Sequence, residues 1–320
     1  MLLYFEIVYN SLRNDILKSL KGSLFLFIAA IIWGSGFVAQ TIASSEVPPF
    51  SFNAYRSFTG VIFLGIIILF STLFKKNKIE KSNKIFTKIE LLGGSLCGIF
   101  LFFASFCQQQ GITLYPKDAA ASGRSGFITA TYVVMVAVYS LIREKKMQIP
   151  VLIAVVGCTV GMYFLCLSGG LNRVYVGDIF VMFCAVFFAV HLIVVDRFPG
   201  TNAIKMSFLQ FLVCGILSLI SAFIFEGAPA HITSDTIGYI LYMGIMSSGI
   251  AYTLQIEGQK YASPTVCSIV MSLESVFAVL FGWLILSEKL SLKEGFGCIL
   301  VFASVILSQM PSFKTKKNLE

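Results

Sequence analysis

Three ionisable side chains stand inside long apolar runs of this chain: Arg56, Arg124 and Glu274. A charge at the centre of a bilayer costs about 2.5–3.5 kcal/mol on insertion scales, so such residues normally face a cavity or a partner. Glu274, in "SLESV", falls near the middle of its run. It suits a substrate amine or a transported proton, because desolvation disfavours the charged carboxylate and leaves it at least partly protonated. The competing role is a protonated, hydrogen-bonded structural carboxyl. Arg56, in "AYR", suits a substrate carboxylate, or else snorkels to headgroups or pairs with Glu46. Arg124 sits among small residues in "AAASGRSG". It has a substrate or gating role, or is one half of a structural pair with Asp118 or Asp178. His191, in "FAVHLIV", reads as a neutral imidazole bonded to a neighbouring helix, with a proton relay as the alternative.

Softer candidates surround these. Gln108, Gln109 and Gln110 close one apolar run, Gln210 lies within another, and Gln255 closes a third. Among the aromatic residues, Trp33, Phe103, Tyr132 and Tyr252 are placed to line a cavity. They would offer dispersion contacts and cation–π faces to an amine, although with 31 Phe in the chain packing is the ordinary role of such rings. The substrate-binding candidates are therefore Glu274, Arg124, Arg56, Trp33, Phe103, Gln109, Tyr132, His191, Tyr252 and Gln255, and Glu274 is the candidate for proton coupling. Glu144, Glu257 and Glu288 lie at run ends and read as interfacial charges paired with Lys.

Catalytic patterns are missing from the sequence. It holds no HExxH, no Walker glycine loop and no G-x-S-x-G elbow. The eight cysteines all fall inside apolar runs and form no CxxC, which marks them as packing residues. The expectation is a protein that is not an enzyme, needs no cofactor or metal, and does not itself pump with ATP.

The elements that carry these residues are membrane spans. The chain is 57% hydrophobic and 12% charged, against about 25% charged in soluble domains. Ten apolar stretches, each near the roughly 20 residues needed to cross a bilayer, cover 22–44, 51–74, 89–110, 118–142, 149–169, 177–197, 204–226, 236–256, 264–287 and 292–311. The net charge of +8 resides in short segments between the stretches, which points to topology signals and anionic lipid and away from nucleic acid. With the N-terminus inside, cytoplasmic segments hold 18 Lys and Arg, six of them between Lys75 and Lys88, and outer segments hold 4. Both termini are thus expected in the cytoplasm. Residues 1–21 carry Glu6 within their apolar part and basic residues after it, unlike a signal peptide. They read as an interfacial or poorly ordered lead-in, and 312–320 as a cytoplasmic tail.

Two sets of five stretches match. Setting Gly22 over Gly177 lays "GSLFLFIAAIIW" on "GDIFVMFCAVFF". Glu144-Lys145 falls over Glu288-Lys289, Gly111 over Gly258, and Tyr115 near Tyr261. An odd number of crossings per set turns the second upside down, a plan of secondary transporters with the site near the midplane. The fold expected is all-α, with ten transmembrane helices in two inverted five-helix repeats, 22–169 and 177–311. Gly94/Gly98, Gly157/Gly161 and Gly244/Ser248 fit close helix crossings.

Several of these residues carry a resemblance to the drug/metabolite transporter superfamily, in particular its EamA-type tandem-repeat permeases. They are Trp33-Gly34, Arg56, "GFITATYVVMV" with Glu144 after it, "GMYFL" from Gly161, "GDIF" from Gly177, "SLESVFAVLFGWLILSEKL" and Gly297. The family commonly has proline in its fourth and ninth spans where Thr131 and Ser275 stand here; a hydroxyl can still bond the carbonyl one turn back. The resemblance implies an inner-membrane permease, often an exporter of amino acids or related small metabolites, with spans 3, 4, 8 and 9 lining most of a central cavity. Its partners would be a small-molecule substrate and membrane lipids, and monomer and homodimer both stay open. The alternatives are a drug or cation exporter of the same superfamily and a non-transporting membrane scaffold or sensor.

Overall fold

Lipid offers a backbone no hydrogen bonds, so an apolar chain must satisfy its own N–H and C=O groups. The computed structural model describes residues 2–74, 85–116, 119–144, 148–166, 174–287 and 292–308, and among these every regular element is helical. The basic run 75–84, Lys117, Asp118, Lys145, Lys146, Arg173, Glu288, Lys289 and the tail from 309 lie outside the described residues, as does the Glu144 side chain.

The first five stretches form α1 (Leu2–Ala43), α2 (Pro49–Phe74), α3 (Lys88–Thr113), the pair α4 (Ala121–Ala130) and α5 (Tyr132–Glu144), and α6 (Ile149–Cys166). The second five form α7 (Val176–Asp196), α8 (Ala203–Phe225), and a composite of α9 (Ser234–Tyr242), a π segment (Met243–Ala251) and α10 (Tyr252–Gly258). These are followed by the pair α11 (Pro264–Met271) and α12 (Leu273–Leu286), and by α13 (Leu292–Ser308). Eight of the ten stretches are long and apolar enough to cross a membrane; the fifth and tenth give shorter apolar helices, Ile149–Phe164 and Gly295–Ser308. α1 runs unbroken from Leu2 through the first span, which begins at Ser19.

Local chemistry sets the boundaries. Pro49 opens α2, where its missing N–H costs nothing. Glu226 then accepts from the backbone N–H of Phe50 (2.8 Å) and Ser51 (3.0 Å) and from the Ser51 hydroxyl. Thr87 and Glu90 make a capping box at α3. Past the end of α8 the chain turns through Gly227 at φ +80°, a left-handed conformation that glycine adopts without strain.

The two helix pairs break without proline. In the fourth span the break falls at Thr131, whose hydroxyl donates to Ile128 O at 2.6 Å. In the ninth it falls at Ser272, one turn before the expected Ser275. Ser272 Oγ donates to Ile269 O (2.6 Å), and Ser275 Oγ then donates to Ser272 O (2.7 Å). Hydroxyls satisfy the carbonyls that a bend exposes, which is how a proline-free helix tolerates one.

The halves interlock through equivalent contacts. A Cβ on Gly177 (α7) would lie 2.6 Å from Gly111 O (α3) and 3.0 Å from the Tyr115 ring. Its repeat partner Gly22 (α1) would place a Cβ 2.6 Å from Tyr261 Cβ and 3.0 Å from Gly258 O. The same pair of contacts is made twice, at opposite ends of the bundle, as two inverted repeats require. Gly94 and Gly98 meet α8, Gly157 and Gly161 meet α13, and Gly244 meets Thr59 of α2. Large apolar residues such as Ile62, Leu69, Phe183 and Ile224 stay exposed around the outside, where lipid is the solvent.

Gly177→Ala is expected to destabilise the protein by about 1–3 kcal/mol, the usual cost of overpacking. Gly238→Ala, which meets nothing within 4 Å, should be neutral or slightly stabilising. Thermal unfolding of the two variants in detergent checks the contrast.

Candidate functional site

The first, fourth, sixth, eighth and ninth spans contribute their middles to one cavity. Trp33, Tyr132, Phe188, Ser247 and Glu274 all lie within about two residues of the midpoint of their spans and line it together. The other lining residues are Phe37 and Gln40 of α1, Arg56 of α2, Gln108 of α3, Thr129 of α4, and His191 and Leu192 of α7. Met243 of the π segment, Tyr252 and Gln255 of α10, and Met271 of α11 complete the wall. The space between these atoms, open solvent at its mouth included, is about 530 Å³.

The wall is aromatic and polar together. Tyr252 is the hub of an edge-to-face cluster, with ring centroids 4.9 Å from Trp33, 5.0 Å from Phe211 and 5.8 Å from His191. Around it, several glutamines are held by their amide nitrogens. Gln255 Nε2 donates to Gln259 Oε1 (3.0 Å), and Gln259 Nε2 donates to Leu192 O (3.1 Å). Gln40 Nε2 donates to Gly36 O (3.4 Å), and Gln108 Nε2 to Thr129 Oγ1 (3.3 Å). His191 donates from Nε2 to Gln210 Oε1 at 2.9 Å, the neighbouring-helix bond expected of it, and its ring also faces the cavity.

Six lining residues keep a buried polar atom without a hydrogen-bond partner among the described residues. The acceptors are Gln40 Oε1, Gln255 Oε1 and Glu274 Oε1, the donors are Trp33 Nε1 and Arg56 Nε, and the Tyr132 hydroxyl can be either. Glu274 and Tyr132 interact electrostatically across the cavity wall, with no bond of normal geometry from Glu274 Oε1. A buried polar atom left unpaired costs about 1–3 kcal/mol. Their concentration around one cavity is what a site for a polar ligand looks like.

Of the ten candidates read from the sequence, Trp33, Arg56, Tyr132, His191, Tyr252, Gln255 and Glu274 are brought together here. Arg56 neither snorkels nor pairs with Glu46. It is 2% exposed and donates from Nη2 to Ser105 Oγ (2.8 Å), while Glu46 accepts from the Thr233 hydroxyl. Gln109 is buried beside the cavity, and its Nε2 donates to Gln40 O (3.3 Å). Phe103 lies elsewhere. It is exposed and stacks on Phe187, because five residues before Gln108 turns a helical side chain about 140° away.

Arg124 is also apart from the cavity. Its guanidinium forks onto Asp178, with Nε and Nη2 each 2.6 Å from a carboxylate oxygen. Tyr115 donates to Asp178 Oδ1 (2.7 Å), and the Tyr175 ring covers the guanidinium at 4.9 Å. Burial first, and then the bond to Asp178, push the Tyr115 phenol above its ordinary range and keep it a donor.

Spans 3, 4, 8 and 9 do supply much of the lining, but spans 1 and 6 add six residues that the sequence reading largely missed. The repeat held the signal. The register that sets Gly22 over Gly177 also sets Trp33 over Phe188 and Phe37 over Leu192, and all four line the cavity.

Known proteins agree with this architecture. The model of the EamA-like transporter family matches residues 20–167 and again 175–310. An uncharacterized transporter of Archaeoglobus fulgidus is 30% identical over 296 residues, which is 91% of this chain and 86% of the relative. The uncharacterized transporter YoaV of Bacillus subtilis is 23% identical, covering 90% of this chain and 96% of its own. One solved crystal structure superposes with a TM-score of 0.70 over 90% of this chain and 96% of that one; at 18% identity the likeness is one of fold.

Replacing Gln210 by Ala removes the acceptor of the buried His191 Nε2–H. The unpaired imidazole should lower stability by about 1–3 kcal/mol, read as a fall in the unfolding temperature in detergent, and Gln210→Glu should recover part of it.

Proposed function

Because the chain belongs to the EamA-like transporter family, we propose that this multi-pass membrane transporter is a secondary exporter of amino acids or related small metabolites, working by alternating access in the cell's inner membrane with both termini cytoplasmic. The observation that carries this reading is the midplane cavity that holds a carboxyl, a guanidinium and unpaired polar atoms beside aromatic faces. A zwitterion presents an ammonium with three donors and a carboxylate with only acceptors. Glu274 and the glutamine oxygens match the first, and Arg56 matches the second. Trp33, Tyr132, Phe188 and Tyr252 offer aromatic faces to an apolar side chain. Glu274, the one acid on the wall, is also the group to exchange a proton for the substrate. The excess of Lys and Arg in alternate loops supports the orientation.

A drug or cation exporter is the second reading. The bond from Arg56 to Ser105 favours it, since that arginine is already partly engaged while Glu274 keeps an oxygen unpaired.

Purified protein in liposomes separates these readings by counterflow of amino acids and of the amines derived from them, with and without a pH gradient. Glu274→Gln should lower flux of amine-bearing substrates by about 10- to 100-fold, the worth of a hydrogen bond to a charged group, and should flatten the response to the gradient. Flux and pH response equal to the parent's would remove Glu274 from the mechanism. Arg56→Gln should impair amino acids but spare amines; equal loss of both argues for a packing role of Arg56.

A further inference from the structure

The outer end of the fourth span is a short helical segment of its own. α4 is a ten-residue helix cut off at both ends. Ala120, just before it, takes a left-handed backbone at φ +46°, a strained conformation for a residue with a side chain. Thr131, just after it, breaks the helix with its own hydroxyl. Between these joints α4 is small-residue rich, and a Cβ on Gly123 would lie 3.2 Å from Val279 Cγ2. Thr129 of α4 lines the cavity, and so do Phe188 and His191 of α7. The spacing between α4 and α7 therefore sets access to the cavity at that end.

One cluster fixes this spacing. The Arg124 fork joins α4 to Asp178 at the start of α7, with both side chains only 15% and 12% exposed. Tyr115, beyond α3, donates to the same carboxylate, so three segments meet on Asp178. The repeat supplies an internal comparison. The register that sets Gly22 over Gly177 puts Ser23 at the place of Asp178, and the one that sets Glu144 over Glu288 puts Ser268 at the place of Arg124. Neither carries charge. Ser268 Oγ donates to Thr265 O (2.8 Å), within its own helix. Tyr261, near the place of Tyr115, turns its hydroxyl to Glu257 (3.3 Å) on its own segment. An ion-paired joint thus stands at one end of the bundle, and hydroxyl groups stand at the equivalent place of the other.

We propose that α4 is a gate at the outer end of the cavity and that Arg124, Asp178 and Tyr115 are its latch, which biases the transporter toward the state closed to the outside. The inference rests on the orientation and the cavity given under the proposed function. It adds that the two ends of the transport cycle are energetically unequal although the repeats are related. Alternating access requires the latch to open once per cycle, and a fork that reforms in one geometry suits such a switch.

The test reads access directly and needs no substrate. Gln108→Cys places a thiol on the cavity wall, and a membrane-impermeant maleimide is applied to right-side-out and inside-out vesicles, with labelling of the parent chain subtracted. Adding Asp178→Asn or Arg124→Gln should raise the outside rate by about tenfold, within the usual span of conformational coupling. Tyr115→Phe, which removes only one hydroxyl, should give a smaller rise of the same sign and covers the case in which the charge variants fail to insert. The exchanged pair Arg124→Asp with Asp178→Arg should move the rate back toward the parent's. Unchanged outside and inside rates in the inserted variants overturn the latch. A rise confined to inside-out vesicles supports the latch and overturns the orientation. Loss of the Glu274 effect on flux, with the labelling shift intact, would sink the transport reading alone.

Discussion

The absence of water from the hydrocarbon core of a bilayer is the constraint from which the rest of the molecule follows. Backbone groups answer it by forming helices, and most side-chain polar groups answer it with short local bonds, such as the hydroxyls of Thr131, Ser272 and Ser275 to the carbonyls behind them. What those local solutions leave over is informative. Of the thirteen described residues that retain unpaired buried polar atoms, six (Trp33, Gln40, Arg56, Tyr132, Gln255 and Glu274) face one cavity. In a soluble protein such atoms could be excused by solvent. Inside a bilayer their cost is relieved by a ligand or by water admitted along the transport path.

The second organising fact is reciprocity between the halves. Gly22 meets the end of the eighth span as Gly177 meets the end of the third. These contacts interleave the repeats, so the cavity belongs to neither half. Residues at matching register, Trp33 with Phe188 and Phe37 with Leu192, converge on it from opposite directions. Where the symmetry fails, the chain has been specialised. The π segment over Met243–Ala251 sits in the eighth span, whereas α3, its counterpart, is α-helical throughout. The ion pair of Arg124 is likewise one-sided.

Much of this was legible beforehand, and the reasons are physical. Lipid imposes length and apolarity on every span, so the helical class, the repeat and the approximate positions of the stretches show through composition alone. The cost of burying charge singled out Arg56 and Glu274 for the same reason. Side-chain direction was harder to read. Phe103 turns to the outside, and in helices apolar on all sides nothing in the sequence distinguishes lipid from cavity. The sequence leaves Arg124 a choice between Asp118 and Asp178, and the packing of α4 against α7 brings it to Asp178, 54 residues on in the chain. The break in the ninth span was displaced to Ser272 because neighbouring hydroxyls offer equivalent capping bonds. The π segment left no mark at all, since it changes backbone register without changing residue type.

The cap on α2 has a consequence for how this protein is made. Its first N–H groups and the Ser51 hydroxyl are satisfied by Glu226, a residue 175 positions after Ser51 in the chain, and Ala230 N donates back to Ser51 Oγ. When the second helix leaves the ribosome and enters the bilayer, the carboxylate that finishes it has not yet been synthesised. The cap on the second helix is completed only when the seventh crossing and Glu226 after it have been made. Maturation of the first repeat is therefore tied to translation of the second, and the bundle becomes complete only late in biosynthesis.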